Sequence, residues 1–200
     1  SRRILLLFDR GKPRLYRLLD PENFVFLASG VVKNVDRIAS EGYLKLILDC
    51  LKVLLKAMDL ESFAVYGSVA RGSASKYSDV DVLLISDSFE GSLASRMEKL
   101  YYMEEVLEEE FKWLRRHSVY TSLSFYPLRR EEAQRLPLLF LDLTDEAVIL
   151  YDRSGFLEAV LLELKRRLLE QGARKVFVDK GRWYWDLKPD YKFGEKVEVA

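Results

Sequence analysis

Residues 63 to 85 combine a glycine–serine pair with two closely spaced acids, which are residue types that bind phosphates and divalent cations. One apolar run ends at Gly67-Ser68, and a second apolar run opens with Asp79 and Asp81. Gly67 permits a sharp turn because it has no Cβ to exclude positive φ angles. Ser68 then begins a short helical turn, where it offers a hydroxyl and nearby free N–H groups to a phosphate.

The two acids are expected to point to the same side of a strand. They stand two residues apart at the start of an apolar run that ends at Ile85, and side chains at i and i+2 of a strand leave the same face. Parallel carboxylates beside a phosphate-binding turn suit a hard divalent cation, with Mg²⁺ as the first choice and Mn²⁺ as the alternative. The competing interpretation is a β-turn-β connection whose acids only solvate a strand edge, but Asp is disfavoured in strand interiors.

This stretch resembles the signature of the polymerase-beta-like nucleotidyltransferase superfamily, in which Gly-Ser, a spacer and Asp-x-Asp on a strand follow one another. The positions that carry the resemblance are Gly67, Ser68, Arg71, Gly72, Ser78, Asp79 and Asp81. The spacer has the length found in minimal nucleotidyltransferase-domain proteins, which include antitoxin-like members. The stretch from Tyr151 to Asp190 is also similar to the tail of archaeal proteins of this kind.

The resemblance implies transfer of a nucleoside monophosphate, AMP from ATP, to a hydroxyl acceptor in the presence of Mg²⁺. The acid pair would bind the metal and act in catalysis. The nucleotide would be bound by Gly67, Ser68, Arg71 and Ser78. An alternative for Arg71 is a bond to turn carbonyls or a solvated position, and Lys76 is expected to be a solvated loop lysine.

The superfamily normally supplies a third carboxylate from a later strand, and the matching strand here lacks one. That strand, from Tyr120 to Tyr126, contains neither Asp nor Glu. Ser122 or Ser124 would take the position, although a hydroxyl is a poor metal ligand beside a carboxylate and accepts no proton at neutral pH. Glu131 or Glu132 is the alternative source of a carboxylate. This departure favours nucleotide binding over catalysis.

Two further functions therefore stay open. One is a nucleotide-binding or partner-binding module with weakened catalysis, which resembles the antitoxin-like members that pair with a helical toxin-type protein. The other is an RNA-modifying enzyme that stacks bases on its carboxy-terminal aromatics. For these aromatics, packing of a hairpin onto the core is the favoured interpretation, because nearby acids dilute any basic patch. The aromatics are Phe177, Trp183, Tyr184 and Trp185.

Composition restricts the class of protein. The chain has 200 residues, 49% of them hydrophobic, and its positive and negative charges cancel. A buried core is expected, and a protein whose main task is to coat nucleic acid is not. The single cysteine, Cys50, excludes an internal disulfide and indicates a reducing cytoplasm. The apolar run at residues 4–8 is too short to span a membrane, so no membrane association is expected.

The hydrophobic periodicity predicts a small mixed sheet flanked by helices, an α/β (α+β) fold. Helices are predicted over about 40–58, 92–115 and 156–171, strands over 63–66, 80–85, 119–126 and 147–151, and a hairpin over 175–187. Pro127 should end a strand, and the acidic run 104–110 should be a solvated helix face. The predicted parts are a helical amino-terminal segment (1–57), a nucleotidyltransferase core (58–150) and a carboxy-terminal helix with its hairpin (151–200). Residues 4–8 and 24–27 are predicted to form short strands or pieces of helix.

Overall fold

The apolar runs on either side of the Gly-Ser turn form neighbouring strands. The computed structural model describes residues 5–9, 13–179 and 182–191. Its strands are β1 (Leu5–Asp9), β2 (Leu15–Leu18), β3 (Ser62–Tyr66), β4 (Val80–Ile85), β5 (Leu123–Leu128), β6 (Val148–Asp152), β7 (Arg174–Asp179) and β8 (Arg182–Asp186). The central sheet has the order β5-β4-β3-β6. Because β4 runs antiparallel to β3 and parallel to β5, the sheet is mixed, as predicted.

Helices flank this sheet and supply most of its covering. They are α1 (Pro21–Ala28), α2 (Leu44–Ala57), α3 (Gly67–Arg71), α4 (Leu93–Leu100), α5 (Tyr102–Val106), α6 (Glu108–Arg116), α7 (Arg130–Gln134), α8 (Leu139–Glu146) and α9 (Phe156–Glu170). The predicted helices at α2 and α9 are confirmed within a few residues. Gly172 follows α9 with φ of +70°, which is the left-handed conformation that commonly ends a helix.

Alternate residues of β4 enter two different apolar cores. Val80, Val82 and Leu84 belong to a core that includes α2 and the α4–α6 region, whereas Leu83 and Ile85 pack with α8 and α9. Burial of each such side chain contributes roughly 1.5–3 kcal/mol. The period of two places Asp81 on the same face as Leu83 and Ile85, at the end of the sheet beside α8.

The region predicted as one long helix is divided into three. Ser92 caps α4 as expected, accepting a hydrogen bond from the Ser95 N–H at 3.2 Å. The helix is interrupted at Tyr101 and again at Leu107, where φ is −101°. The i to i−4 hydrogen bond from Leu107 N to Met103 O persists at 3.0 Å. The sequence contains neither Gly nor Pro at these two breaks, so nothing local signals them.

Pro127 does not end its strand. β5 continues to Leu128 because it lies at the edge of the sheet, where a proline without an N–H is tolerated. The Pro127 carbonyl accepts a hydrogen bond from the Arg96 guanidinium at 3.3 Å.

The expectation of a fully solvated acidic run is wrong at Glu110. This residue is buried and accepts a two-pronged hydrogen bond from Arg17, at 2.5 and 2.7 Å. Arg17 lies on β2, which pairs antiparallel with β1 ahead of α1. The amino-terminal segment therefore holds a hairpin as well as helix, and the pair Arg17–Glu110 ties that hairpin to α6.

The carboxy-terminal hairpin contacts α8 through Trp183 and Trp185, as the favoured interpretation predicted, whereas Phe177 and Tyr184 are 71% and 54% exposed. The indole N–H groups of Trp183 and Trp185 donate to Asp142 Oδ1 at 2.9 and 3.0 Å. Lys175 on β7 donates to Glu146 at 2.9 Å. The turn predicted at residues 180–181 lies outside the described residues. The sequence analysis did not predict α8, although this helix holds both acids that fix the hairpin.

Candidate active site

The turn after β3 and the second acid of β4 are in direct contact. Gly67 has φ of +70°, and a Cβ at this position would lie 2.2 Å from Asp81 Oδ2. Real Cβ atoms do not approach other atoms so closely, so glycine is required both for the backbone conformation and for space. The contact fixes the Asp81 carboxylate against the first turn of α3.

Asp79 is exposed immediately before β4 and is oriented by β5. Its Oδ1 accepts hydrogen bonds from the Ser122 backbone N–H at 3.1 Å and from the Ser122 hydroxyl at 2.8 Å. One step along the parallel ladder, Ser124 is the register partner of Asp81. Each acid therefore has a serine beside it, Ser122 just before β5 and Ser124 within it.

The two acids interact electrostatically. Burial raises the pKa of Asp81, the negative charge of Asp79 raises it further, and a hydrogen bond with Ser124 and the charge of Arg71 partly oppose these effects. Burial and the charge of Asp81 also raise the pKa of Tyr66 to about 12, so its phenol stays protonated. A cation between the exposed Asp79 and the half-buried Asp81 would stabilise these two like charges.

The carboxylate oxygens at this site suit one divalent cation, although the protein would fill only part of the cation's coordination shell. Among the described ranges of the chain, no group of three or more His, Cys, Asp or Glu side chains could hold a metal ion. Asp79 and Asp81 would supply two oxygen ligands, and phosphate oxygens and water would have to supply the rest, which is the usual arrangement for Mg²⁺ at nucleotide sites.

Neither proposed substitute for the third carboxylate is at the site. Glu132 is bonded to Arg96 at 2.5 and 2.9 Å, and this interaction is the main cause that lowers the pKa of Glu132 to about 2. Glu131 pairs with Arg135. Both acids follow β5, which runs away from the acid pair, so they belong to the opposite end of the strand.

Arg71 lies at the end of α3, and its charge partner is an acid rather than solvent or the carbonyls of the turn. Its guanidinium forms an ion pair with Glu146 of α8, and its Cζ lies 5.5 Å from the Trp183 ring centroid. Because Glu146 also binds Lys175, it would keep a cationic partner if Arg71 turned towards a phosphate. Glu146 carries no local sequence signal, since it lies 75 residues away from Arg71.

The two serines predicted to bind nucleotide differ in their surroundings. Ser68 is half-buried in the first turn of α3, and its carbonyl accepts from the Ser73 N–H at 3.0 Å. The Ser78 hydroxyl accepts from the Ser75 N–H at 2.9 Å and therefore shapes its own loop. Tyr43 holds the same loop by donating to the Ser75 carbonyl at 2.7 Å, a contact that the sequence analysis did not predict.

Comparison with known proteins agrees with this geometry. Residues 44–139 match the family model described as nucleotidyltransferase domain, so this part of the chain is similar to such domains. The match supports nucleotidyl transfer as the class of activity, and such domains generally use divalent metals. A comparison with curated proteins finds no match.

One solved structure, described as a toxin-antitoxin with AMP-PNP, is similar at 13% identity and a TM-score of 0.39. The similarity covers 62% of this chain and 91% of that chain. At this TM-score the similarity carries no inference about fold or function. Within the part of the chain that the structure describes, no helix is long and apolar enough to cross a membrane.

Proposed function

We propose that the protein transfers a nucleoside monophosphate, AMP from ATP, to a hydroxyl acceptor with Mg²⁺ as the cation. The observation that carries this proposal is the contact between Gly67 and Asp81, which joins a carboxylate pair to a tight turn within the matched nucleotidyltransferase domain. ATP is the first donor to test, and Mn²⁺ is the alternative cation. A cytoplasmic location stays a prediction.

In the proposed reaction the acceptor hydroxyl oxygen forms a bond to the α-phosphorus of ATP. The bond from the α-phosphorus to the oxygen that bridges to the β-phosphate breaks, pyrophosphate leaves with that electron pair, and the hydroxyl proton passes to water. A divalent cation bound by Asp79 and Asp81 would neutralise charge on the phosphate oxygens. The protein contributes mainly position, because attacking and leaving oxygens must lie roughly in line.

Each proposed site residue has a separate task. Gly67 leaves space for the Asp81 carboxylate, and Ser68 offers a hydroxyl beside the phosphates. Arg71 would exchange Glu146 for a phosphate oxygen, since its planar fork suits both anions. Ser78 acts indirectly, because its hydroxyl holds the loop that leads into Asp79.

A second candidate function is a nucleotide-binding or partner-binding module with weakened catalysis. The observation that favours it is the pair of serines beside the acids, where Ser122 bonds Asp79 and Ser124 pairs with Asp81. Neither hydroxyl accepts a proton at neutral pH. A protein acceptor or an antitoxin-like partner is compatible with either candidate.

The test combines nucleotide binding with turnover. The wild-type chain is incubated with Mg²⁺ and α-³²P-labelled ATP, with and without added protein and RNA acceptors, and label in macromolecules is counted. Label from α-³²P-ATP but not from γ-³²P-ATP is expected, together with loss of the signal in Asp79→Asn and Asp81→Asn. Asp87→Asn, an exposed loop acid after β4, is the matched control.

Calorimetric titration with a non-hydrolysable ATP analogue separates the two candidates. Mg²⁺-dependent binding without label transfer to any acceptor would favour the module. Absence of binding with or without Mg²⁺ or Mn²⁺ would refute both functions.

A further inference from the structure

Two exposed tyrosines form a stacked pair next to the acids. The ring centroids of Tyr77 and Tyr120 lie 5.7 Å apart with an interplanar angle of 19°. Tyr77 is 66% exposed and Tyr120 is 48% exposed. Burial of an aromatic ring is a large source of stability, so a stacked pair that stays exposed offers aromatic faces to a ligand.

The tyrosine pair continues the row of site residues outward from the sheet. The Val80 N–H donates to the Ser122 carbonyl at 2.9 Å, and the Tyr120 N–H donates to the Lys76 carbonyl at 2.7 Å. Both bonds fit the parallel register of β4 and β5. Moving outward, the facing pairs are Asp81 with Ser124, Asp79 with Ser122, and Tyr77 with Tyr120.

A cation accompanies the aromatic pair. Lys76 is exposed, and its Nζ lies 5.0 Å from the centroid of the Tyr77 ring. Within the described residues Lys76 forms no ion pair, so its charge is available to a phosphate. Exposed aromatic faces combined with a basic side chain are the elements that bind single-stranded nucleic acid, because bases stack and the backbone is anionic.

The position relative to the acids assigns this surface to the acceptor. The turn at Gly67 and the ion pair of Arg71 with Glu146 lie on the β3 and α8 side, whereas Tyr120 lies on the β5 side. If the triphosphate occupies the turn, an in-line attack brings the acceptor from the other side.

We propose that Lys76, Tyr77 and Tyr120 form the acceptor site, and that the acceptor is the end of a single-stranded nucleic acid. Its terminal base stacks on the tyrosine pair, its phosphate meets Lys76, and its terminal hydroxyl attacks the α-phosphorus of ATP. A new phosphodiester bond forms as pyrophosphate leaves, and the hydroxyl proton passes to water. This inference rests on the proposed function, and it names the acceptor class of the same site.

The first test is direct binding, which needs no turnover. A fluorescein-labelled single-stranded oligo(A) RNA of ten nucleotides is titrated with the full chain, and anisotropy gives the affinity. Tyr77→Ala and Tyr120→Ala should each weaken binding about tenfold, since stacking contributes roughly 1–3 kcal/mol per base. Tyr77→Phe and Tyr120→Phe should retain most of the affinity because the ring remains. Lys76→Ala should reduce the slope of log affinity against log salt by about 0.7.

Tyr101→Ala is the matched control, since Tyr101 is 64% exposed between α4 and α5. The acceptor site is refuted if Tyr77→Ala and Tyr120→Ala bind RNA as Tyr101→Ala does, if phenylalanine fails to restore affinity, or if the wild type does not bind the RNA.

Label transfer then distinguishes this inference from the proposed function. If label reaches a protein acceptor equally in wild type and in both alanine variants, the acceptor site is wrong and the transferase stands. If RNA binding depends on the tyrosines but no acceptor is ever labelled, the nucleic-acid surface stands and the transferase fails.

Discussion

Replacement of Gly67 by alanine probes the contact that positions the acid pair. The new Cβ would lie 2.2 Å from Asp81 Oδ2 and 3.1 Å from Asp81 Cγ, so the carboxylate has to move by about 1 Å to reach ordinary contact. Two separate costs are expected. The backbone cost of a non-glycine residue at φ of +70° is about 1–2 kcal/mol, and the cost of overpacking is about 1–3 kcal/mol.

Gly172→Ala isolates the backbone cost. Gly172 has the same φ of +70°, and its Cβ would meet no atom within 4 Å. Urea unfolding of the two variants should therefore show that Gly67→Ala is the more destabilised by about 1–3 kcal/mol. The excess measures the crowding against Asp81.

A double-mutant cycle identifies Asp81 as the group that is crowded. In an Asp81→Ala background the nearest remaining atom is the Cβ of residue 81, at 3.5 Å, which is an ordinary contact distance. Gly67→Ala should then destabilise the protein no more than Gly172→Ala does. An unchanged cost of Gly67→Ala in that background would refute the close contact.

The same displacement should reduce binding of Mg²⁺ and nucleotide. Calorimetric titration with the non-hydrolysable ATP analogue is expected to give at least tenfold weaker binding for Gly67→Ala, because a shift of about 1 Å is large for a group that orients a ligand. Gly172→Ala should bind as the wild type. Equal affinities for both variants would mean that Asp81 does not contribute to the nucleotide site.

Three further predictions concern charge. Burial and a like charge raise the pKa of Asp81, so its ionised form destabilises the fold above that raised pKa. Asp81→Asn should therefore stabilise the protein by about 0.5–1 kcal/mol at pH 7 in thermal unfolding. If the variant gains no stability, the repulsion between the two acids is contradicted. The pKa of Glu132 is lowered from 4.5 to about 2, mainly by Arg96. The stabilising contribution of Glu132 is therefore complete above pH 4.5 and is lost as the pH falls to 2. Across that pH window, the urea midpoint of Glu132→Gln should fall less steeply than that of the wild type. Glu110→Gln removes a buried anion and leaves the half-buried Arg17 without its charge partner. Chemical unfolding should show a loss of about 3 kcal/mol, whereas Glu109→Gln on the exposed face should change little.

Local chemistry was sufficient to predict much of the candidate site. The strand from Val80 to Ile85 was predicted with its observed bounds because its apolar run is continuous. The turn at Gly67 followed from glycine's freedom at positive φ, and the common face of the acids followed from the period of two. These properties belong to neighbouring residues, so the sequence displays them directly.

Contacts between distant segments could not be predicted in this way. Arg71 is bonded to Glu146, and Arg17 is bonded to Glu110 across 93 residues. The breaks between α4 and α6 have no Gly or Pro to indicate them. They keep the buried side chains Leu100, Met103, Leu107 and Phe111 in one core, so packing determines them.

The sequence by itself determined that a glycine turn precedes two acids at the start of one strand, and that no third acid follows on the next strand. Only the tertiary structure decided which residues complete the site. Just beyond the start of the β4–β5 ladder, Ser122 bonds Asp79 and Tyr120 stacks on Tyr77, and Glu146 brings α8 beside Arg71. Such neighbours depend on how separate segments pack, because a side chain's partners across a fold are set by total burial and register rather than by its position along the chain.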